Sequence, residues 1–211
     1  MWRWPLYATT ATFFSQAPVS VMTVSAIAQN WPPVEVEVPA PHPDAPSPGA
    51  ELPVHYSHCF GCGDEVESGL RIRSTVGDGH VVVSTFTVTK GHQGAPGLAH
   101  GGLLTCAFDE ALGTAAGHLL RVPVVTAKLE TDFRQPVPVG STLYITTKLD
   151  GVAGRKVYVS AEGRLDASDG PLAVEARALF VTVGVEHFIE HGDVEQLQEL
   201  GERHSDWDIN P

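Results

Sequence analysis

The chain has 211 residues, of which 43% are hydrophobic, and a formal net charge of −12 at pH 7. Its length suits one domain with extensions, and its negative charge excludes the basic surface expected of a nucleic-acid-binding protein. The acidity is concentrated at the C-terminal end, where residues 186–211 hold eight acidic residues against one arginine. Three cysteines are too few for a disulfide framework and suit a reducing compartment, so we expect a cytoplasmic protein.

Residues 1–54 are expected to form a proline-rich, disordered extension. Eight prolines crowd into residues 31–53, a composition typical of an extended linker rather than a packed element. Residues 26–28 resemble the small-residue cleavage site of a signal peptide, but the single arginine before them and the lack of a clean apolar region argue against one. At the other end, residues 186–211 form an acidic tail with a short helix expected at 193–200.

Residues 55–185 carry the pattern of one α+β domain. β-branched and aromatic residues predict strands at 70–75, 80–89, 124–133, 142–149, 156–164 and 171–183. Turn-forming residues between successive strands favour antiparallel pairing. A helix is predicted over residues 99–120, between the second and third strands. The expected fold is therefore an antiparallel sheet with one long helix on its face.

The predicted helix is apolar on every side, as a buried core helix is. Asp109 and Glu110 interrupt it near its middle, where a charge inside a bilayer would cost at least ~2.5 kcal/mol, so we expect no membrane span. A carboxylate at position 109 of a core helix needs a specific role. Glu110, on another face of the helix, is expected to pack or to form an ion pair.

Gly101 and Gly102 open this helix, where unpaired N–H groups and the positive end of the helix dipole lie. Glycine lets a ligand approach the backbone closely, and an N–H here could stabilise a carbonyl oxygen that becomes negative in a transition state. The alternative is that the two glycines only make a tight junction between the loop and the helix.

A stripe of small and polar residues runs along the helix, because Gly102, Thr105, Asp109 and Gly113 follow one another at intervals of three or four. Gly102 and Asp109 lie about 10 Å apart along the axis, too far for both to touch one carbonyl group. Two antiparallel copies of the helix would bring Gly102 of one chain near Asp109 of the other. The spacing predicts a homodimer with two equivalent sites, and leaves open whether dimers pair into a homotetramer.

The run HQGAPGLAHGG at residues 92–102, with Asp109 nine residues after His100, strongly resembles the hotdog-fold thioesterases and, among them, the PaaI-like acyl-CoA thioesterases. The upstream segment CFGCG…GL, at residues 59–70, is similar to one that precedes the first strand in part of that group. This resemblance covers residues 58–185. It implies the hotdog fold, in which an antiparallel sheet wraps around a long central helix. It also implies dimerisation and hydrolysis of acyl-CoA thioesters without a cofactor.

The resemblance assigns roles to four catalytic residues. Asp109 matches the catalytic carboxylate, which acts as a general base on water or as a nucleophile. Gly102 matches the residue whose N–H polarises the thioester carbonyl, and His100 matches the histidine that holds the loop and hydrogen-bonds near the thioester. Thr126 stands where one branch of the family has a threonine that orients the attacking water.

The spacing along the predicted strand offers a plainer reading of Thr126. Alternation places Thr126 on the same strand face as Lys128 and Glu130, which would make it an ordinary strand residue.

Substrate contacts are expected from the motif and from nearby bases. Gln93 and Gly101, both within the motif, are assigned to substrate binding. The phosphates of a coenzyme would need positive charges near the cleft, for which Arg134, Arg155 and Lys156 are the candidates. The alternative is that these bases are solvated surface charges.

The sequence His55-x-x-His58-Cys59-x-x-Cys62 offers a second type of site, because two histidines and two cysteines can bind Zn²⁺ tetrahedrally. Four ligands within eight residues would need a very tight loop, unlike the separated pairs of common zinc modules. We therefore expect no metal, and a CFGCG turn that packs beside the start of the sheet.

Three functions remain open at this point. The first is a thioester hydrolase, and the second is a hotdog module that binds acyl-CoA without cleaving it. The third is a hotdog hydratase or dehydratase, which would pair the aspartate with a histidine five residues later, where this chain has Thr114.

Overall fold

A six-stranded antiparallel sheet and one long helix form the fold. The computed structural model describes residues 30–40 and 42–203, and the elements below lie in the unit that comprises residues 32–211. The sheet consists of β1 (Arg73–Val76), β2 (Val81–Thr87), β5 (Val124–Phe133), β6 (Thr142–Ala153), β7 (Lys156–Leu165) and β8 (Leu172–Thr182). These strands lie in the order β1-β2-β6-β7-β8-β5, and all their pairings are antiparallel.

The long helix α1 (Gly101–Leu120) follows β2 and precedes β5 along the chain, as the sequence predicted. The segment between β2 and α1 contains a 3₁₀ turn (Lys90–His92) and a two-stranded ribbon of β3 (Gln93–Ala95) and β4 (Leu98–Ala99). After the sheet come α2 (Val185–His191), which the sequence analysis missed, and α3 (Val194–Arg203). No residue of α2 is buried, so its sequence carries no core-facing pattern. The α+β hotdog architecture is confirmed.

One face of α1 packs against the sheet. Most of its buried residues recur at intervals of three and four, namely Leu104, Ala107, Phe108, Ala111, Leu112, Ala115, Ala116 and Leu119, and Gly117 and His118 are buried near its end. The expectation that the helix is buried on every side is wrong for the single chain, because Leu103 and Cys106 are only half-buried and Gly102 is exposed. No described helix combines the length and hydropathy needed to span a bilayer.

Part of the proline-rich segment packs against the sheet, which the sequence analysis did not predict. Glu37 pairs with Val152 and Glu51 pairs with Thr75 through isolated antiparallel bridges. Leu52 is only 7% exposed and belongs to the core. Prolines keep this segment extended, and extended backbone can hydrogen-bond to a neighbouring strand. The signal-peptide alternative at residues 26–28 and the last eight residues of the acidic tail lie outside the described residues.

Candidate active site

His100 caps the N-terminus of α1 and fixes the loop before it. Its Nδ1 accepts a 2.9 Å hydrogen bond from the N–H of Gly102, so the neutral ring carries its proton on Nε2. The His100 N–H donates to the carbonyl of His92 at 2.8 Å. The buried ring of His92 in turn accepts from the N–H of Thr89 at 3.1 Å, and burial lowers the pKa of His92. This arrangement leaves the Nε2–H of the exposed His100 ring able to donate to a ligand.

The N–H groups of the two glycines differ in their partners. The Gly102 N–H, expected to polarise a carbonyl, already donates to His100 and must leave that acceptor before it can bind a substrate. The N–H groups of Leu103 and Leu104 both donate to the His100 carbonyl. Within the described residues, the Gly101 N–H has no acceptor. Gly101 is therefore the better placed of the two glycines to bind an external oxygen.

Asp109 and Thr126 meet in a cavity of about 150 Å³ beside the middle of α1. The Thr126 hydroxyl donates to Asp109 Oδ1 at 2.9 Å. Burial raises the pKa of Asp109, against the opposing effect of this hydrogen bond. The cavity is lined by His55, Asp109, Glu110, Gly113, Thr114, His118, Val124, Thr126 and Phe180. A carboxylate and a hydroxyl facing one small cavity can hold and activate a water molecule.

A β-bulge explains how Thr126 reaches Asp109. Thr126 pairs with Phe180 on β8, whereas Lys128 pairs with Leu179, so the intervening Ala127 has no partner of its own. Because opposite residues in an antiparallel ladder share a face, the bulge puts Thr126 on the Phe180 side and Lys128 on the other. The expectation that Thr126 and Lys128 share a face is wrong. Strict alternation fails at the inserted residue.

Gly101 lies in a different cavity, at the N-terminal end of α1. This cavity has a volume of about 350 Å³ and is lined by Leu98, Ala99, Gly101, Leu104, Phe133, Arg134, Gln135, Pro136 and Val137. Asp109 does not line it, and neither Gly101 nor Gly102 lines the cavity of Asp109. Since Gly101 and Asp109 are eight residues apart on one helix, about 12 Å separates them along the axis. The two candidate groups of one chain thus lie in two cavities at different places along the helix.

The residues expected to bind substrate lie in different surroundings. Arg134 lines the Gly101 cavity and forms ion pairs with Glu175 and Asp132. The Gln93 side chain holds its own loop, since it accepts from the Gly97 N–H at 2.8 Å and donates to the Lys90 carbonyl at 2.9 Å. Two further candidates, Arg155 and Lys156, are exposed at the turn between β6 and β7 and line neither cavity.

A second group of reactive side chains borders the Asp109 cavity. Cys59, Cys62 and His55, from the loop before β1, meet Glu110 of α1, and their ligand atoms all lie within 4.8 Å of one another. His58 is not part of this group, because its ring is exposed and pairs with Glu65 at 3.2 Å. Glu110 was not predicted to be part of this group. Only the position of the loop against the helix reveals it, since 48 residues separate Glu110 from Cys62.

These four side chains change each other's ionisation. The hydrogen bond from Cys62 lowers the pKa of Cys59 to about 5. Burial lowers the pKa of His55, but its hydrogen bonds with Cys59 and Glu110 outweigh burial and raise it to about 10. Burial raises the pKa of Glu110, yet His55 and the two thiols bring it below its usual value. Near neutral pH the group therefore combines a thiolate, a carboxylate and a protonated imidazole in contact.

Comparison with known proteins agrees with this fold. A model of the thioesterase superfamily matches residues 96–170. The acyl-coenzyme A thioesterase THEM4 of Xenopus laevis is 37% identical over 89 residues, which are 42% of this chain and 39% of that protein. THEM4 of Bos taurus is 38% identical over 94 residues, 44% of this chain and 38% of that protein. The chain thus matches these curated relatives over about two fifths of their length.

Solved structures also match the chain. A thioesterase superfamily protein has a TM-score of 0.54 and 31% identity, covering 59% of this chain and 63% of that one. The E. coli PaaI protein from the phenylacetic acid degradation operon has a TM-score of 0.50 and 23% identity, covering 55% of this chain and 81% of that one. The sequence match, the sheet and its central helix agree with the motif at residues 92–102. Residues 96–170 of this chain are thus similar to the thioesterase superfamily, and its sheet and helix resemble those of a solved protein of that superfamily.

Proposed function

We propose that this protein hydrolyses acyl-CoA or closely related thioesters to a free acid and CoA. The observation that carries the proposal is the hydrogen-bonded pair of Asp109 and Thr126, which faces a cavity beside the central helix. The names of the relatives support the same substrate class, since THEM4 is an acyl-coenzyme A thioesterase. Those relatives are matched over only part of their length, so the substrate class is part of the proposal.

Asp109 acts as the general base in this proposal. Thr126 donates to Oδ1 of Asp109, and within the described residues Oδ2 accepts from no donor, which leaves it for a water molecule. Asp109 removes a proton from this water as the oxygen attacks the thioester carbonyl. The carbon–sulfur bond then breaks, and the protonated Asp109 returns the proton to the departing thiolate. Partial burial disfavours the charged carboxylate of Asp109 and raises its pKa, which favours proton transfer near neutral pH.

The N-terminus of α1 polarises the carbonyl. We assign the donor to the Gly101 N–H, in place of the Gly102 N–H expected from the motif, because Gly102 already donates to His100. The N–H lies at the positive end of the helix dipole, where it stabilises the negative oxygen of the tetrahedral intermediate. The Nε2–H of His100 is a second donor at the same end. Arg134, which lines the same cavity as Gly101, is the proposed partner of a negative group of the substrate.

Two chains complete each site. Gly101 and Asp109 of one chain lie in separate cavities, so the donor and the base that serve one carbonyl must come from different copies. Strand β5 supports this arrangement. It lies at one end of the sheet order, and Phe133 at its end is 51% exposed. A ten-residue edge strand and the half-buried stripe of α1 are surfaces that a second copy can cover. We therefore propose a homodimer, and a reducing compartment such as the cytoplasm for its three free cysteines.

Release of free thiol from acyl-CoA substrates tests this function. Asp109→Asn should lower kcat by about 10²–10⁴-fold, because the amide cannot accept the proton of water. Thr126→Val should lower kcat by about 10–100-fold through loss of one hydrogen bond to a charged group, whereas Thr126→Ser should keep most of the activity. Asp78→Asn, in the exposed turn after β1, is the matched control and should be fully active. Full activity of Asp109→Asn, or binding of acyl-CoA by the wild type without thiol release, would contradict the proposal.

A further inference from the structure

The group formed by His55, Cys59, Cys62 and Glu110 has the geometry of a metal site. Cys59 Sγ lies 3.3 Å from Glu110 Oε2, and Cys62 Sγ lies 3.2 Å from His55 Nδ1. His55 Nδ1 lies 3.5 Å from Glu110 Oε1, and the Glu110 side chain is only 11% exposed. Two thiols, an imidazole and a carboxylate therefore converge on one point at the boundary between the loop and α1.

We propose that these four side chains bind one Zn²⁺ ion. Zinc in a tetrahedral site holds sulfur at about 2.3 Å and nitrogen or oxygen at about 2.0–2.2 Å, which sets the ligand atoms about 3.3–3.8 Å apart. The three distances above, 3.2 to 3.5 Å, are close to that range and involve both Glu110 oxygens, and one ligand atom from each of the four residues lies within 4.8 Å of the others. Thiolates select zinc over magnesium or calcium, which prefer sites made of oxygen ligands alone.

The backbone of the loop is shaped to hold such a site. The Gly61 N–H donates to Cys59 Sγ at 3.3 Å, a contact that stabilises a thiolate. A Cβ on Gly61 would lie 2.4 Å from Glu110 Oε2, and one on Gly63 would lie 2.5 Å from the Cys59 carbonyl oxygen. Glycine at both positions lets the loop turn tightly and lets the Glu110 carboxylate approach the thiols. These contacts account for both glycines of the CFGCG turn.

The Glu110 carboxylate also contacts a residue of its own helix. The Thr114 hydroxyl, one turn further along α1, lies 3.4 Å from Glu110 Oε1 and can donate to it. Hydrogen bonds of this kind orient the ligands of metal sites. The four ligands would thus be fixed by the loop on one side and by α1 on the other.

The role of this zinc is structural. Four protein ligands leave no open position, as is typical of structural rather than catalytic zinc sites. The ion would fasten the loop to α1 directly beside Asp109, because His55 and Glu110 line the same cavity as Asp109. The expectation of no metal at this loop rested on His58 as the fourth ligand, and Glu110 takes that place. The zinc site does not depend on the proposed hydrolysis.

Metal content of the full-length, untagged protein, purified in the presence of a reductant, tests the proposal. We expect about one zinc per chain. His55→Ala should abolish stoichiometric zinc, while His58→Ala, three residues away, should retain it. Cys59→Ser and Cys62→Ser should lose zinc, while Cys106→Ser should retain it. Glu110→Gln should weaken zinc binding by at least about tenfold, since an amide is a poorer ligand than a carboxylate.

A second measurement uses only the wild-type protein, so its result does not depend on whether the variants fold. After zinc is removed by a chelator, addition of Co²⁺ should give the intense absorption of tetrahedral cobalt bound to thiolates, and one equivalent of Zn²⁺ should abolish it. Failure of the reduced wild type to bind either metal would overturn the proposal. So would equal loss of zinc in His55→Ala and His58→Ala with both variants folded, or a Cys59–Cys62 disulfide as the stable form of the protein under reducing conditions.

Discussion

Two adjacent glycines, Gly101 and Gly102, differ in their hydrogen bonds, and this difference is the basis of the proposed assignment of the carbonyl donor. Gly102 is bound to the His100 ring, whereas Gly101 faces a cavity with Phe133 and Arg134. The motif alone pointed to Gly102, because sequence gives the order of residues at a helix terminus but not the acceptor that each N–H finds. That acceptor depends on the rotamer of His100, which only the folded loop sets.

Proline substitution distinguishes the two glycines. Gly101→Pro removes the proposed donor at the first helical position, which accepts proline well, and should lower kcat by about 10²–10³-fold. Gly101→Ala keeps the N–H and should stay within a few-fold of the wild type. Gly102→Pro removes the bond to His100, so we expect a loss of about 1 kcal/mol in the free energy of unfolding and a smaller loss of kcat. Steady-state thiol release with chemical denaturation separates these effects. A larger loss of kcat in Gly102→Pro than in Gly101→Pro would instead assign the carbonyl donor to the Gly102 N–H.

Prediction from sequence succeeded where a local pattern determines the structure. The intervals between apolar residues predicted α1 to within two residues at its start, and β5 was predicted with its observed bounds. The expected alternation along β5 failed at Lys128, because a single bulged residue reverses which side chains share a face with Thr126. Prediction from sequence also failed at Glu110, whose partners come from a loop far away in the chain. Local periodicity carries no information about either.

At the scale of elements, the fit between α1 and β7 depends on one glycine. Phe108 is fully buried, and its ring lies over Gly163, where a Cβ would come within 2.6 Å of Cζ. The strand therefore has no side chain at the point where the largest residue of the helix contacts the sheet. This contact sets how closely the helix approaches the sheet, and with it the position of Asp109 one residue after Phe108.

Gly163→Ala should destabilise the fold although alanine is usually the better strand residue. The added methyl group cannot be accommodated beside a fully buried ring, and overpacking of this kind costs about 1–3 kcal/mol. Gly91→Ala is the control, since its Cβ would lie 3.6 Å from the nearest neighbour. Free energies of unfolding from denaturant titration test the prediction. Phe108→Leu combined with Gly163→Ala should be less destabilising than the sum of the two changes, and strict additivity would contradict the contact.

At the scale of the whole molecule, the proposed mechanism requires a dimer, because its two groups lie in different cavities. The N–H donor and the carboxylate lie on one helix but in separate cavities, about 12 Å apart along its axis. A two-fold axis between paired helices would join the donor of one chain to the base of the other at two equivalent places. An active monomer would not be compatible with this arrangement.

Mixed dimers test it directly. Asp109→Asn and Gly101→Pro are each expected to be nearly inactive alone. When the two chains are unfolded and refolded together in equal amounts, about half of the dimers should contain one chain of each kind. Such a dimer has one site with both substitutions and one site with neither. Activity should therefore return to about a quarter of the wild-type value per chain. If the donor and the base of one site belonged to the same chain, every site in the mixture would carry a substitution and no activity would return. Refolding each variant alone controls for gains from refolding, and size-exclusion chromatography with light scattering confirms that the mixture is dimeric.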